Sequence, residues 1–236
     1  RGIVETFARE GAARVWALDV NGAEFPTLQE EFPAVTGAVV DVANPADVNA
    51  VVARIRAACG RIDVLVNNAG VNIRKMPQDY APEEWDTVMD TNLKGAFLCC
   101  QAVYPAMKQQ GKGKIINIGS MTSLLGLGKA VPYAASKMGI LSLTYSLALA
   151  WAKDNIYVNC ILPGWIDTPL TVTARRDFPG LGEFVEERTP LARWGQPEDF
   201  MGPAAFLASD ASDFVTGEYL RIDGGWAQHG NTVSFK

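Results

Sequence analysis

Val64-Leu65-Val66-Asn67-Asn68-Ala69-Gly70 is a short apolar run that stops abruptly in two asparagines and a glycine. A brief apolar run bounded by turn formers reads as a strand buried on both faces, and such strands belong to parallel sheets covered by helices. Runs of the same kind stand on either side, at 14–18, 38–40, 114–118, 157–161 and 218–222. Helical periodicity fills the intervals. Residues 45–59 place Val48, Val51, Val52 and Ile55 on one face, and 93–109 do the same with Phe97, Cys100, Val103, Tyr104 and Met107. The stretch 132–153 is longer and more apolar, so it is expected to be covered on more than one side, and 197–208 reads as a last helix behind a proline start. At the other end, Gly11 stops a helix that begins near Gly2. The alternation predicts an α/β fold: one domain over 1–236 with a doubly wound, mostly parallel sheet and helices on both faces.

One stretch breaks the rhythm. Residues 163–195 are rich in proline and glycine, and long irregular connections in compact domains usually serve function. A net charge of −5, with acidic residues scattered along the chain, argues against a nucleic-acid or membrane partner and for a small-molecule substrate. The most apolar run, 140–151, is too short to span a bilayer and is interrupted by Ser142, Thr144 and Ser146. Cys59, Cys99, Cys100 and Cys160 have neither metal-ligand nor redox spacing, which suits a reducing, cytoplasmic setting. His229 is the only histidine and is expected at the surface, so no metal site and no histidine-based triad are expected.

Doubly wound sheets bind ligands outside the carboxyl ends of their strands, where Asp19, Asp41-Val42, Asn67 to Gly70 and Ser120 all fall. At the end of its strand Asp19 can accept hydrogen bonds from an adenosine ribose and repel a 2′-phosphate, which favours NAD over NADP; equally, Asp19 can simply turn the chain. Tyr133 and Lys137, four apart on a helix, share a face, and an ammonium beside a phenol favours the phenolate. Ser120 can place a hydroxyl next to that phenol and hold a carbonyl or alcohol oxygen.

The ordered set Asn67-Asn68-Ala69-Gly70, Asn92, Ser120, Tyr133, Lys137 and Pro163-Gly164 resembles the short-chain dehydrogenase/reductase family, from Gly2 to about Trp226. The resemblance implies a Rossmann-like fold. It also implies that Tyr133 is the acid/base, that Ser120 positions the substrate oxygen, that Lys137 lowers the tyrosine pKa and binds the nicotinamide ribose, and that Asn92 holds a water relaying protons to Lys137. Asp41 and Val42 would border the adenine, Asn68, Ala69 and Gly70 would line the cofactor, and the turn Pro163-Gly164-Trp165-Ile166-Asp167-Thr168 would hold the carboxamide through Ile166 and Thr168. One departure from the family pattern stands out. A first strand and a T-G-x-x-x-G-x-G loop precede the helix that here opens at Arg1-Gly2-Ile3-Val4, so roughly 15 to 25 residues are expected to be missing, their strand belonging mid-sheet. Without them pyrophosphate binding is expected to suffer, and a cofactor-free oligomeric remnant without dehydrogenase activity stands as the reading of another class.

The stretches 67–75 and 193–199 are similar to sugar-acid and polyol dehydrogenases of the gluconate 5-dehydrogenase and 2-deoxy-gluconate 3-dehydrogenase type. Arg74 or Lys75 is therefore a candidate partner for a substrate carboxylate, residues 168–195 a lid, and Trp165 or Phe178 its apolar cover. A 3-oxoacyl carrier-protein reductase or a general ketone reductase is the alternative. The helices at 93 and 132 resemble the family's tetramer-forming pair, with Ala96, Ala135, Leu143 and Leu147 expected to face outward, so a homotetramer or a dimer is expected.

Overall fold

The computed structural model describes residues 1–228; His229 lies outside them. Helix α1 (Gly2–Arg9) leads into β1 (Val15–Asp19), then α2 (Phe25–Glu31) and β2 (Val35–Val39). Helix α3 (Pro45–Cys59) precedes β3 (Val64–Asn67); α4 (Pro82–Met89) and α5 (Gly95–Gln110) precede β4 (Gly113–Ile118). The long α6 (Val131–Trp151) feeds β5 (Ile156–Pro163), and α7 (Pro169–Asp177), α8 (Leu181–Arg188) and α9 (Met201–Ala208) lie before β6 (Tyr219–Ile222). Every strand pairing is parallel.

The strands form two ladders: β1 with β2, and β3-β4-β5-β6 in that order. No hydrogen-bonded pairing joins the ladders among the described residues; side chains do. Phe7 of α1 packs both with Val15 and Ala17 of β1 and with the cluster holding Val64, Ile116 and Ile161. On the other face one core unites Trp16, Leu18, Ala38 and Val40 with Val51, Val103, Ile115 and Val158. The expectation of helices on both faces is met by these two layers.

Local signals explain the boundaries. Asn44 Oδ1 accepts from Ala46 N at 3.0 Å with Pro45 in the first turn of α3, and Gly60 ends that helix at φ +74°. Strand β2 starts earlier than its apolar run suggests, because Thr36 and Gly37 mask the pattern; a methyl on Gly37 would meet the Phe25 ring at 2.2 Å, so α2 docks on bare backbone. The irregular stretch after β5 contains α7 and α8. Pro169 starts α7, and the Thr171 hydroxyl accepts from Thr168 N at 2.9 Å, closing its first turn. Among the described residues, no helix is long and apolar enough to cross a membrane.

Candidate active site

The carboxyl end of β4 delivers Ser120, whose Oγ accepts from Thr122 N at 3.1 Å and so begins a single 3₁₀ turn, Met121–Ser123. Facing it, the first turns of α6 carry Tyr133 and Lys137. Lys137 is buried and donates from Nζ to Ile118 O at 2.7 Å, with Nζ 5.7 Å from the centre of the Tyr133 ring. Burial pushes the Lys137 ammonium down to about 8. Burial also pushes the Tyr133 phenol up, while the Ser120 hydroxyl and then the charge of Arg74 pull it back. Ser120 exerts this pull from beside the phenol although the pair falls short of a fully formed hydrogen bond. Arg74 thus acts on the phenol beside Lys137, the cation expected from spacing.

Asn92 sits in a π-helical turn, Asp90–Lys94, the kind of local widening that recurs at functional sites. Its side chain accepts from Val71 N at 2.8 Å and donates to Val71 O and to Ser136 Oγ, both at 3.0 Å. The amide is committed to these partners and makes no bond to Lys137. Gly70 completes the cluster: a methyl there would lie 3.3 Å from Asn92 Oδ1 and 3.7 Å from Lys137 Nζ. Ser120, Tyr133, Lys137, Asn92 and Gly70 therefore meet at one edge, beneath the exposed Asn68 and Ala69. Below them Asn67 Nδ2 donates to Asn117 Oδ1 at 2.8 Å, and Asn117 Nδ2 to Thr144 Oγ1 at 2.9 Å, tying β3, β4 and α6 together.

The other sequence-derived positions spread along the same edge. Asp19 and Asp41 are exposed, and each accepts from the backbone N–H two residues on, Asn21 and Ala43, at 2.9 Å. Both therefore turn the chain while keeping a second carboxylate oxygen for a ligand. Val42 packs against α5, where a methyl on Gly95 would meet its Cγ2 at 2.8 Å. Pro163 ends β5, and Gly164 N bonds Ile222 O at 2.9 Å where a methyl would stand 2.7 Å from Asp223 Cα. Ile166 is buried and its carbonyl accepts from Thr171 Oγ1 at 2.5 Å, while Thr168 N is taken by the same hydroxyl. Trp165 stacks edge-on against Trp194 and Trp226, at 5.7 and 6.1 Å between ring centres.

The two basic candidates part company. Lys75 is ion-paired to Glu84 at 2.5 Å, and its backbone N donates to Lys129 O at 3.0 Å. Arg74 has no acidic partner among the described residues and is half-buried next to Tyr133. Tyr80 holds the turn in place by donating its hydroxyl to Ile73 O at 2.6 Å. Sequence reasoning missed Tyr80, Ser123, Ser136 and the flanking of Trp165 by Trp194 and Trp226, since each depends on which atoms the fold brings together rather than on residue spacing.

The residues fit a nicotinamide dinucleotide at its two ends: carboxylate oxygens left free at β1 and β2, and bare backbone at Gly70 with a buried amine behind it. Among the described residues, no cluster of three or more potential ligands could hold a metal ion.

A parallel sheet that gathers a hydroxyl, a phenol and a buried amine at its carboxyl edge has the frame of a Rossmann-like oxidoreductase. The comparisons agree, and the chain belongs to the short-chain dehydrogenase/reductase family: the family described as enoyl-(acyl carrier protein) reductase matches residues 1–227. It is 45% identical over 174 residues to 2-dehydro-3-deoxy-D-gluconate 5-dehydrogenase of Escherichia coli, covering 73% of this chain and 68% of that protein. It is 39% identical over 228 residues to NAD-dependent glycerol dehydrogenase of Listeria innocua, covering 96% and 88%. A gluconate 5-dehydrogenase from Burkholderia cenocepacia, solved with NADP and tartrate, superposes with a TM-score of 0.91 at 39% identity, covering 96% of this chain and 90% of that one. The protein is an oxidoreductase of this family, whose fold binds a nicotinamide cofactor.

Proposed function

We propose that this enzyme interconverts a secondary alcohol and a ketone on a sugar acid, with NAD as the preferred nucleotide. The observation that carries the reading is Arg74, a half-buried guanidinium beside the Tyr133 phenol that no carboxylate of the described protein neutralises. A carboxylate a few bonds from the reacting carbon pairs with it while the reacting oxygen reaches the phenol. The relatives named for gluconate derivatives support this choice.

The nicotinamide, when bound, supplies or accepts the hydride. The chain's own residues handle the oxygen and its proton. Ser120 Oγ holds the substrate oxygen, and the Tyr133 hydroxyl gives it a proton in reduction or takes one in oxidation. Lys137, anchored by Ile118 O, presents its remaining N–H groups toward Gly70 and the nicotinamide ribose. Asn92 fixes the turn at Val71 above it. Asp41, Val42, Asn68 and Ala69 line the adenosine side, and Pro163, Gly164, Ile166 and Thr168 the carboxamide side.

Asp19 supports NAD, because its free oxygen matches a ribose hydroxyl and repels a 2′-phosphate. Residues 168–195, with α7 and α8 on the Trp165–Trp194–Trp226 cluster, form a lid over the substrate, and the whole chain works as one domain. Four free cysteines suit a reducing cytoplasm. Self-association through α5 and α6 is proposed on a partly revised face: Ala135 is exposed as expected and Leu143 half-buried, but Ala96 and Leu147 are buried in the chain's own core, whereas Phe97, Met138, Tyr145 and Leu149 are exposed.

The test is steady-state turnover of the purified protein with NAD and NADP on aldonates and on neutral polyols. NAD-linked oxidation of aldonates that falls roughly 10- to 100-fold in Arg74→Met, with neutral polyols losing several-fold less because they lose only the Arg74 effect on the phenol, supports the reading. Equal turnover of charged and neutral substrates overturns it, and failure to bind either nucleotide favours the cofactor-free alternative.

A further inference from the structure

We infer that Ser123 and Ser136 are positioning residues, a pair of buried hydroxyls that lock the Ser120 turn and the Asn92 turn onto the first turns of α6 and so set the approach of Ser120 to Tyr133. The inference rests on the proposed roles of Ser120 and Tyr133, which neither serine shares directly. Ser123 is 3% exposed and Ser136 is fully buried. A serine hydroxyl offers one proton and two lone pairs, so a buried one can join two segments at once.

Both serines are used in that way. Ser123 Oγ donates to Lys137 O at 2.6 Å and accepts from Ser120 N at 3.2 Å. Ser136 Oγ donates to Tyr133 O at 2.8 Å and accepts from Asn92 Nδ2 at 3.0 Å. The two receiving carbonyls belong to Tyr133 and Lys137, one helical turn apart on the same face. One clamp therefore runs from the backbone of Ser120 to the backbone of Lys137. The other runs from Val71 through Asn92 to the backbone of Tyr133.

A serine bonding back to its own helix is common and does little by itself. What sets these two apart is a second bond that crosses between segments: Ser136 on α6 receives the Asn92 amide, and Ser123, in the turn after β4, donates to Lys137 O on α6. The backbone of Gly119 lies close to the Ser123 hydroxyl: a methyl on Gly119 would stand 3.1 Å from it. Without the hydroxyl, Ser120 N loses its acceptor, the 3₁₀ turn is held only by its own bonds, and the Ser120 side chain drifts from the phenol. A misplacement of about 1 Å costs on the order of 100-fold in rate, and a partly restrained turn costs less.

The test compares wild type, Ser123→Ala, Ser136→Ala and Ser123→Thr by two readouts. One is kcat and KM; the other is the Tyr133 titration, taken as the tyrosinate absorbance of each protein minus that of its Tyr133→Phe counterpart. Expected in Ser123→Ala is a kcat roughly 10-fold lower, KM within about twofold, and a Tyr133 titration moved to higher pH because the Ser120 hydroxyl no longer favours the phenolate. Ser123→Thr, which keeps the hydroxyl, is expected to stay within about twofold of wild type in kcat with an unmoved titration. Should Ser123→Ala not fold, Ser136→Ala reports on the second clamp by the same kcat loss. A Tyr133 titration and kcat unchanged in both alanine variants, or a threonine variant as impaired as alanine, overturns the inference. A wild type inactive with both nucleotides overturns the dehydrogenase reading instead, and the titration still decides the clamp.

Discussion

The two ladders of the sheet end in the same direction but treat their polar groups in opposite ways. At the carboxyl ends of β3 and β4, and on the helices facing them, Asn92, Asn117, Ser123, Ser136 and Lys137 are all buried, each bonded to a named partner on another segment. At the ends of β1 and β2, Asp19 and Asp41 are exposed and bonded only within their own turns, with Val20 and Val39 open to solvent beside them. The proposed roles of the two regions account for the difference. Proton transfer at a reacting oxygen needs groups fixed to within a fraction of an ångström, which burial and cross-segment hydrogen bonds supply. Choosing between a ribose hydroxyl and a phosphate needs only a charge in the right place. The four-stranded part should therefore answer mutation with large changes in turnover, and the two-stranded part with modest changes in nucleotide preference.

The largest effect tests the rigid half. Tyr133→Phe keeps the ring and removes the proposed proton carrier, so turnover is expected to fall by roughly 10²- to 10⁴-fold while the nucleotide dissociation constant, measured by calorimetry, stays within a few-fold. A comparable loss of nucleotide affinity would break the separation of the two halves.

Lys137 gives the next effect, in stability rather than rate. An unfolded lysine titrates near 10.4, whereas burial holds Lys137 at about 8 in the fold. Between those values the unfolded chain binds more protons than the folded one, so this group's contribution to stability rises with pH across that window and is flat below about 8. Denaturant unfolding of wild type and Lys137→Met at about pH 7.5 and about pH 10 is expected to show the wild type gaining roughly 2–3 kcal/mol relative to the variant. The difference between the two proteins cancels the buried Cys99, Cys100 and Cys160 thiols, whose raised pKa values act in the opposite direction. A constant difference across that range would mean the Lys137 amine is not desolvated as its burial implies.

On the open half, Asp19→Asn removes the charge and keeps the turn-forming amide oxygen. The ratio of kcat/KM for NADP to that for NAD is expected to rise about 10-fold, with kcat on the preferred nucleotide little changed. No change in the ratio would show that Asp19 only turns the chain, as its bond to Asn21 N already does.

The same contrast decides what could be read from the sequence. Strand runs, helix faces and the Ser120, Tyr133 and Lys137 constellation were legible because apolar periodicity and fixed spacing on one helix are local properties. Arg74 and Lys75 were indistinguishable there: adjacent, alike in charge, and separated only by Glu84, which the fold brings to Lys75. The clamps at Ser123 and Ser136 were illegible because three of their four partners are backbone atoms, which leave no signature in residue identity, and the fourth, the Asn92 amide, is brought to Ser136 only by the fold. Helices α7 and α8 were hidden by the prolines and glycines that start and separate them, and Gly37 hid the start of β2 for the same reason. Leu147 was placed outward because α6 is apolar nearly all round, so periodicity could not say which face meets the sheet, and Ala96, in the first turn of α5, is too small to mark a face.

The smallest effect concerns the far end of the proposed lid, which belongs energetically with the open half. Arg193 grips Asp199 with two bonds, at 2.7 and 2.8 Å, and Gln196 N donates to the same carboxylate at 2.7 Å. The Arg193 guanidinium and this backbone donor hold the Asp199 carboxyl at about 2. Its folded-state pKa lies below the ordinary aspartate value of about 3.9, so its contribution is complete above that value and lost as pH falls through about 2. Arg193 is half exposed, and solvent screens the pair, so Asp199→Ala is expected to cost only about 1 kcal/mol near neutral pH. Asp199→Asn, which can still accept from Gln196 N, is expected to cost less. Unfolding measured from neutral pH downward should show the variant and wild type converging below pH ~4. A loss several times larger, or one that persists in acid, would place this lid anchor with the rigid half and show that exposure alone does not sort the molecule's polar groups by their energetic weight.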